Sequence, residues 1–253
     1  MGVDKRSAPA IRVGTAGWSI PRLSAERFPG DGVHLERYAR VLNCAEINSS
    51  FHRPHAVKVY EKWAALTPPE FRFAVKMPRT VTHDAKLRRT RALVSRFIGE
   101  ASGLGSKLAV ILVQLPPSLE FSARTGHAFF KLLREFWPGH IVFEPRHESW
   151  FGERPDHLLM VYEIARVGTD PSGIKAAKVP GGWRGITYYR LHGSPRKYWS
   201  RYRAARIAKW SAELLAVSPE FEAWCIFDNT ASGAAVENAL EVAELTGVRS
   251  HGG

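Results

Sequence analysis

Short apolar runs that each end in polar residues constrain this chain more than any other feature. Residues 11–13 lead into Gly14, Thr15 and Trp18, and residues 45–48 lead into Ser49, Ser50 and Phe51. The run at 71–75 ends in Lys76, 109–113 in Gln114, and 141–143 in Glu144, Arg146 and His147. The run at 187–191 ends in His192, and 224–227 in Asp228 and Asn229. A parallel strand covered on both faces reads as a continuous apolar run. Its C-terminal end is where α/β enzymes keep their chemistry.

Helical patterns separate the runs. The spacing predicts strands over 11–15, 45–48, 71–76, 109–114, 141–144, 166–170, 186–191 and 224–227, the sixth being weak. It predicts helices over 34–42, 57–66, 87–103, 125–136, 155–164, 203–216 and 234–245, with none clear in the Gly-rich stretch 171–185. Strands alternating with helices imply a parallel sheet. A chain of 253 residues is the size of one (β/α)8 barrel. The expected class is therefore α/β, a single TIM-like barrel over residues 11–250 behind a polar lead, 1–10. An open doubly wound sheet is the alternative, but Gly14-Thr15-Ala16-Gly17 lacks the G-x-G-x-x-G pattern and no Walker motif occurs.

Several stretches together resemble the uncharacterised DUF72 family, also called YecE-like. They are Gly14-Thr-Ala-Gly-Trp-Ser19, Glu46-Ile-Asn-Ser-Ser-Phe51, Phe71-Arg-Phe-Ala-Val-Lys76 and Leu112-Val-Gln-Leu-Pro-Pro117. Phe143-Glu-Pro-Arg-His147 with Trp150, Tyr189-Arg-Leu-His-Gly193 and Phe227-Asp-Asn-Thr230 complete them. His52 stands where that family more often has tyrosine. The resemblance implies a TIM-barrel fold and no particular reaction.

Function must then be argued from the residues. A barrel would bring Glu46, Glu144 and Asp228 to one mouth. Crowded carboxylates push one pKa up, which prepares an acid and a base. The competing expectation is salt bridging to Lys76, Arg146 and Arg190. His192 follows the seventh strand and His147 the fifth, and imidazole transfers protons near neutral pH. Glu46 and Glu144 are the candidate acid and base, His192 a proton shuttle, and Asp228 its orienting partner. Lys76 ends an apolar strand, where it would bind substrate anions or, with a depressed pKa, attack a carbonyl. Gln114 and His147 would contact substrate. Glu46, Glu144, His83, His192 and Asp228 are metal-ligand types, but they lack short-range ligand spacing, and Lys76 with Arg190 would repel a cation. No metal is assigned, and no motif names a cofactor.

The charge balance of 36 basic to 24 acidic residues favours an anionic partner. Residues 190–203 interleave Arg196, Lys197, Arg201 and Arg203 with Tyr198, Trp199 and Tyr202, and Asn229 and Thr230 precede the last helix. Loops seven and eight form the usual phosphate site of a barrel, so Arg190, Arg196, Arg146, Asn229 and Thr230 are expected to hold a small anionic substrate such as a phosphorylated sugar or nucleotide-like molecule. The alternative is nucleic acid, with aromatics stacking on bases; Lys86, Arg88, Arg89, Arg91 and Arg96 add a second basic run. Cys44 and Cys225 read as small buried residues at strand starts. With no secretory or membrane-length apolar run, a soluble cytoplasmic protein is expected; its oligomeric state is left open.

Overall fold

The computed structural model describes residues 10–248. Most of the expected lead, 1–9, and the last residues of the expected domain, 249–250, lie outside them. The strands are β1 (Ala10–Ala16), β2 (Cys44–Ile47), β3 (Arg72–Lys76), β4 (Leu108–Gln114) and β5 (His140–Glu144). They continue with β6 (Ile164–Arg166), β7 (Gly168–Asp170), β8 (Gly181–Gly182), β9 (Ile186–Leu191) and β10 (Glu222–Phe227). They form one sheet in the order β7-β9-β10-β1-β2-β3-β4-β5-β6-β8. The ends meet through the chain itself, because only Val167 separates β6, paired with β5, from β7, paired with β9. The expected weak sixth strand is thus one bent segment that starts two residues earlier and closes a parallel, TIM-like barrel. Only β8, antiparallel to β6, stands outside that pattern.

The helices are α1 (His34–Ala39), α2 (Ser49–His52), α3 (Val57–Ala65), α4 (Arg91–Ala101), α5 (Ala123–Phe136), α6 (Glu153–Val161), α7 (Ala204–Leu215) and α8 (Ala234–Thr246). In α5, Gly126, Phe129, Phe130 and Leu133 are buried at the three-to-four-residue spacing of one helical face. Two expectations need correction. The helix expected over 87–103 starts only at Arg91, because Lys86, Leu87 and Arg89 take left-handed backbone angles. The helix expected over 155–164 ends at Val161; Glu163 turns the chain at φ 52°, and Ile164 enters β6. Cys44 does start β2, but Cys225 lies within β10; both are buried and free.

Alternation along the strands places the site. Side chains on a strand alternate between faces. Ala45, Ile47, Phe73, Val75, Ile111, Val113, Ile141, Phe143, Leu191, Cys225 and Phe227 belong to the main core cluster. The other parity, Cys44, Ala74, Val110, Leu112, Val142, Ala165, Val167, Tyr188, Trp224 and Ile226, forms a separate cluster filling the barrel. Continuing that second parity by two residues on each strand reaches Glu46, Lys76, Gln114, Glu144, Thr169, Arg190 and Asp228. The polar groups are the top layer of the barrel interior. On β1 the interior is so tight that a Cβ at Gly14 would stand 2.1 Å from the carbonyl oxygen of Cys44.

Candidate functional site

Arg190 is the centre of the mouth and is 0% exposed. Its Nε donates to Glu46 Oε1 at 3.2 Å and Oε2 at 3.0 Å, and its Nη2 to Glu46 Oε1 at 2.8 Å. Nη1 donates to Glu144 Oε2 at 2.6 Å, and Nη2 also to Asp228 Oδ2 at 3.1 Å. One guanidinium therefore ties together carboxylates from β2, β5 and the end of β10. Tyr188, two residues earlier on β9, donates its hydroxyl to Glu46 Oε2 at 2.9 Å. Thr169 donates to Glu144 Oε1 at 3.4 Å. Burial opposes charge on Arg190, but the three carboxylates outweigh it and hold the guanidinium protonated.

His192 extends the network. With Asp228 ionised, its Nδ1 carries the proton and donates to Asp228 Oδ2 at 3.0 Å. Its Nε2 lies 3.5 Å from Glu144 Oε1 and 3.4 Å from Arg146 Nη2. Burial would raise the Asp228 carboxyl, but the hydrogen bond from His192 and the Arg190 charge bring it below its ordinary value. Burial likewise acts to raise Glu144, yet Arg146, 2.6 Å away, with Arg190, holds it well below the usual range. Glu144 is thus a fixed anion that can accept but has no proton to donate near neutral pH.

The other cations of the mouth are held differently. Lys76 is 8% exposed, and its Nζ sits 4.2 Å from the centre of the Phe51 ring. It makes no ion pair among the described residues; Glu46, its expected partner, is held by Arg190 and Tyr188. Burial and the nearby Arg190 lower its pKa to about 8, against the opposing pull of the three carboxylates. The Arg146 side chain is 18% exposed. Lys197 is half-buried, and its ammonium is destabilised first by burial and then by Arg146. His83 packs on the other edge of Phe51, 5.0 Å between ring centres, and is likewise lowered by burial and by Lys76.

The loop after β9 folds over this opening. Gly193 permits it: φ is +91°, and a Cβ there would stand 2.6 Å from the carbonyl oxygen of Ser200. Tyr202 is buried; its hydroxyl donates to the Asp170 carbonyl at 2.9 Å and accepts from the Gly193 amide at 2.9 Å. Tyr198 stands edge-on to His192, 5.3 Å between ring centres, and Lys197 lies over the Tyr198 ring.

The geometry brings together Glu46, Glu144, His192, Asp228, Arg190, Arg146 and Lys76. It gives Arg190 a different part from the anion binder expected, because its donors already hold carboxylates. Gln114 pairs in register with Glu144, but its amide donates to the Leu115 carbonyl at 2.9 Å. His147 lies apart: it caps the turn at Ser149, 3.3 Å from that amide. Arg196 is exposed and stacks on Trp199 at 4.6 Å. Asn229 is buried and braces the loop through Ser200 and Asn238. Thr230 lines a separate cavity of about 410 Å3 with Thr15, Ser19 and Ser232, whose lining has no cationic side chain. Lys197, Tyr188 and Thr169 are members that reading strand ends alone passed over; inward parity would have flagged the last two. Among the described residues no cluster of His, Cys, Asp and Glu is arranged to hold a metal ion. No helix among them is long and apolar enough to cross a membrane.

Fold and site together define a TIM-like barrel with a buried ionic network across its C-terminal mouth. Residues 12–252 match the family described as "Protein of unknown function DUF72", and the chain belongs to that family. It is 31% identical over 175 residues to UPF0759 protein YecE of Escherichia coli (strain K12), covering 66% of this chain and 62% of that protein. The match thus spans less than two thirds of that relative's length. It is 22% identical to UPF0759 protein YunF of Bacillus subtilis (strain 168) over 96% of both. In fold it is similar to a DUF72 family protein of Enterococcus faecalis V583, with TM-score 0.78 and 19% identity over 94% of this chain and 96% of that one. It is also similar to a DUF72 family protein of Thermotoga maritima MSB8, with TM-score 0.75 and 23% identity over 93% and 98%.

Proposed function

We propose that this protein is an enzyme that performs acid–base chemistry on a small anionic substrate, such as a phosphorylated sugar or nucleotide-like molecule, at the mouth of its barrel. The carrying observation is that Glu46, Glu144 and Asp228 are each paired, while Lys76, in the same layer, is not. Arg146 and Lys197 stand beside it, so the opening offers positive charge to a ligand. An anion seated there would hold Lys76 protonated.

The network beneath is built to keep charge fixed. Preorganised charges act strongly where water is excluded. Asp228 sets the His192 tautomer, which leaves Nε2 as the proton acceptor beside Arg146. Lys76, with its pKa lowered to about 8, is the unpaired proton-transfer group of this layer. Acid and base roles thus fall to Lys76 and His192; Glu46 and Glu144, expected in those roles, serve as the counter-charges that hold Arg190 and Arg146.

The nucleic-acid alternative keeps two exposed aromatics, Tyr198 and Trp199, but Tyr202, the third of that loop, is buried and Arg196 stacks on Trp199. Thermal unfolding across sugar phosphates, nucleotides and short oligonucleotides tests both readings, since a ligand of the folded state alone raises the Tm. A rise with one phosphorylated compound, lost in Lys76→Met, supports the enzyme. A rise with oligonucleotides alone, fading with salt, sinks it.

A further inference from the structure

The basic run before α4 does not belong to the mouth. It lines a groove of about 750 Å3 between the start of α4 and the length of α5. Arg88, Arg89, Arg91, Arg124 and Lys131 line it, with Glu135 as the one carboxylate. Glu135 pairs with Arg91 at 2.6 Å. Arg88, Arg89, Arg124 and Lys131 have no ion-pair partner among the described residues. Neither helix has an acidic residue in its first turn.

A second observation points to a ligand. Thr90 occupies the N-cap position of α4 without capping it and lines the groove; it is 1% exposed, and its Oγ1 has no hydrogen-bond partner. A buried hydroxyl without a partner is rare in a folded protein. The backbone is also held for presentation: Lys86, Leu87 and Arg89 all have positive φ, and the buried Leu87 side chain anchors the segment. Such conformations persist where the surroundings over-determine them, and they gather at ligand clamps.

We infer that this groove is a second site, separate from the mouth, that binds the phosphoryl groups of an oligophosphate-bearing small molecule. Arginine forks match phosphate oxygens in pairs, and the uncapped amides opening α4 favour an anion. A small ligand fits better than a nucleic-acid strand. Binding single strands relies on aromatic faces for base stacking, and Phe129, the aromatic in the lining, is 1% exposed.

The test is calorimetric titration of the full chain with inorganic tripolyphosphate. Saturable binding is expected, weakened about tenfold or more in Arg89→Ala/Arg124→Ala and also weakened in Thr90→Val. Arg154→Ala/Arg184→Ala, which removes the same charge from exposed positions outside the groove, is expected to change affinity by less than about twofold. Lys76→Met is expected to leave this binding intact, which separates the groove from the mouth. Equal weakening by both arginine pairs, or no weakening by the groove pair and Thr90→Val, overturns the inference. So does tighter binding of a short oligothymidylate that the groove pair abolishes, which would make the ligand nucleic acid.

Discussion

Arg190 and Glu46 meet in a two-point contact, Nε and Nη2 against both carboxylate oxygens at 2.8–3.2 Å, with neither side chain reached by solvent. A buried ion pair is weak evidence of stability as a whole, but removing one member leaves the other charge stranded. Here one cation holds three anions.

Arg190→Ala is therefore expected to destabilise the fold by about 3–5 kcal/mol or to prevent folding. Urea unfolding measures it. Tyr188→Phe, which leaves Glu46 on Arg190, is expected to cost only about 1 kcal/mol. Similar losses for the two variants would mean that Arg190 is no hub.

Lys76 links stability to alkaline pH. Its pKa falls from 10.5 in the unfolded chain to about 8 in the fold. Between those values the unfolded chain binds more protons, so stability rises with pH across that window. The rise is on the order of 3 kcal/mol at most. Lys76→Met should abolish the slope, and anion affinity in the mouth of the wild type should fade as pH rises past about 8. A slope unchanged in the variant would assign it to another group.

The acid limb has the opposite sign. Asp228 and Glu144 sit below their ordinary values of 3.8 and 4.5, so their stabilising effect is complete above those values and disappears as pH falls through the folded pKa. Asp228→Asn is expected to flatten the loss of stability below about pH 4. It should also lower kcat more than it raises KM on any substrate found, because the His192 tautomer loses its orienting partner.

Gly14→Ala probes the barrel wall. The added Cβ would meet the Cys44 carbonyl oxygen at 2.1 Å, on backbone that cannot yield cheaply. Loss of several kcal/mol, or failure to fold, is expected, read from the melting transition. The exposed Gly173, with nothing within 4 Å of an added Cβ, should tolerate alanine.

Much of this was legible in the chain. Runs such as 109–113 and 141–143 are apolar at consecutive positions, as a strand covered on both faces must be, so strand order and the closed class followed. Lys76, Glu144, His192 and Asp228 stand at strand ends and were found there. Other features depend on contacts between residues far apart in sequence. Arg190 and Glu46 lie 144 positions apart, and nothing local says that one guanidinium will use its donors on carboxylates rather than on a ligand. Asn229 and His147 looked like binding groups because they are polar and near strand ends; their partners, Ser200 and Ser149, are supplied by how the loops fold. The basic run 86–91 read as a basic stretch running into a helix, and becomes a groove only because Leu87 is pulled inside and α5 packs alongside.

The sequence by itself determined the barrel class and most of the charged groups gathered at its mouth, because hydrophobic periodicity and strand-end position are local properties of the chain. Tertiary structure alone decided which charges cancel and which stay free. Pairing depends on distances set by barrel closure at Val167 and by the inward parity of β2, β5 and β9. That closure made Arg190 a buried hub and left Lys76 unpaired beneath the opening.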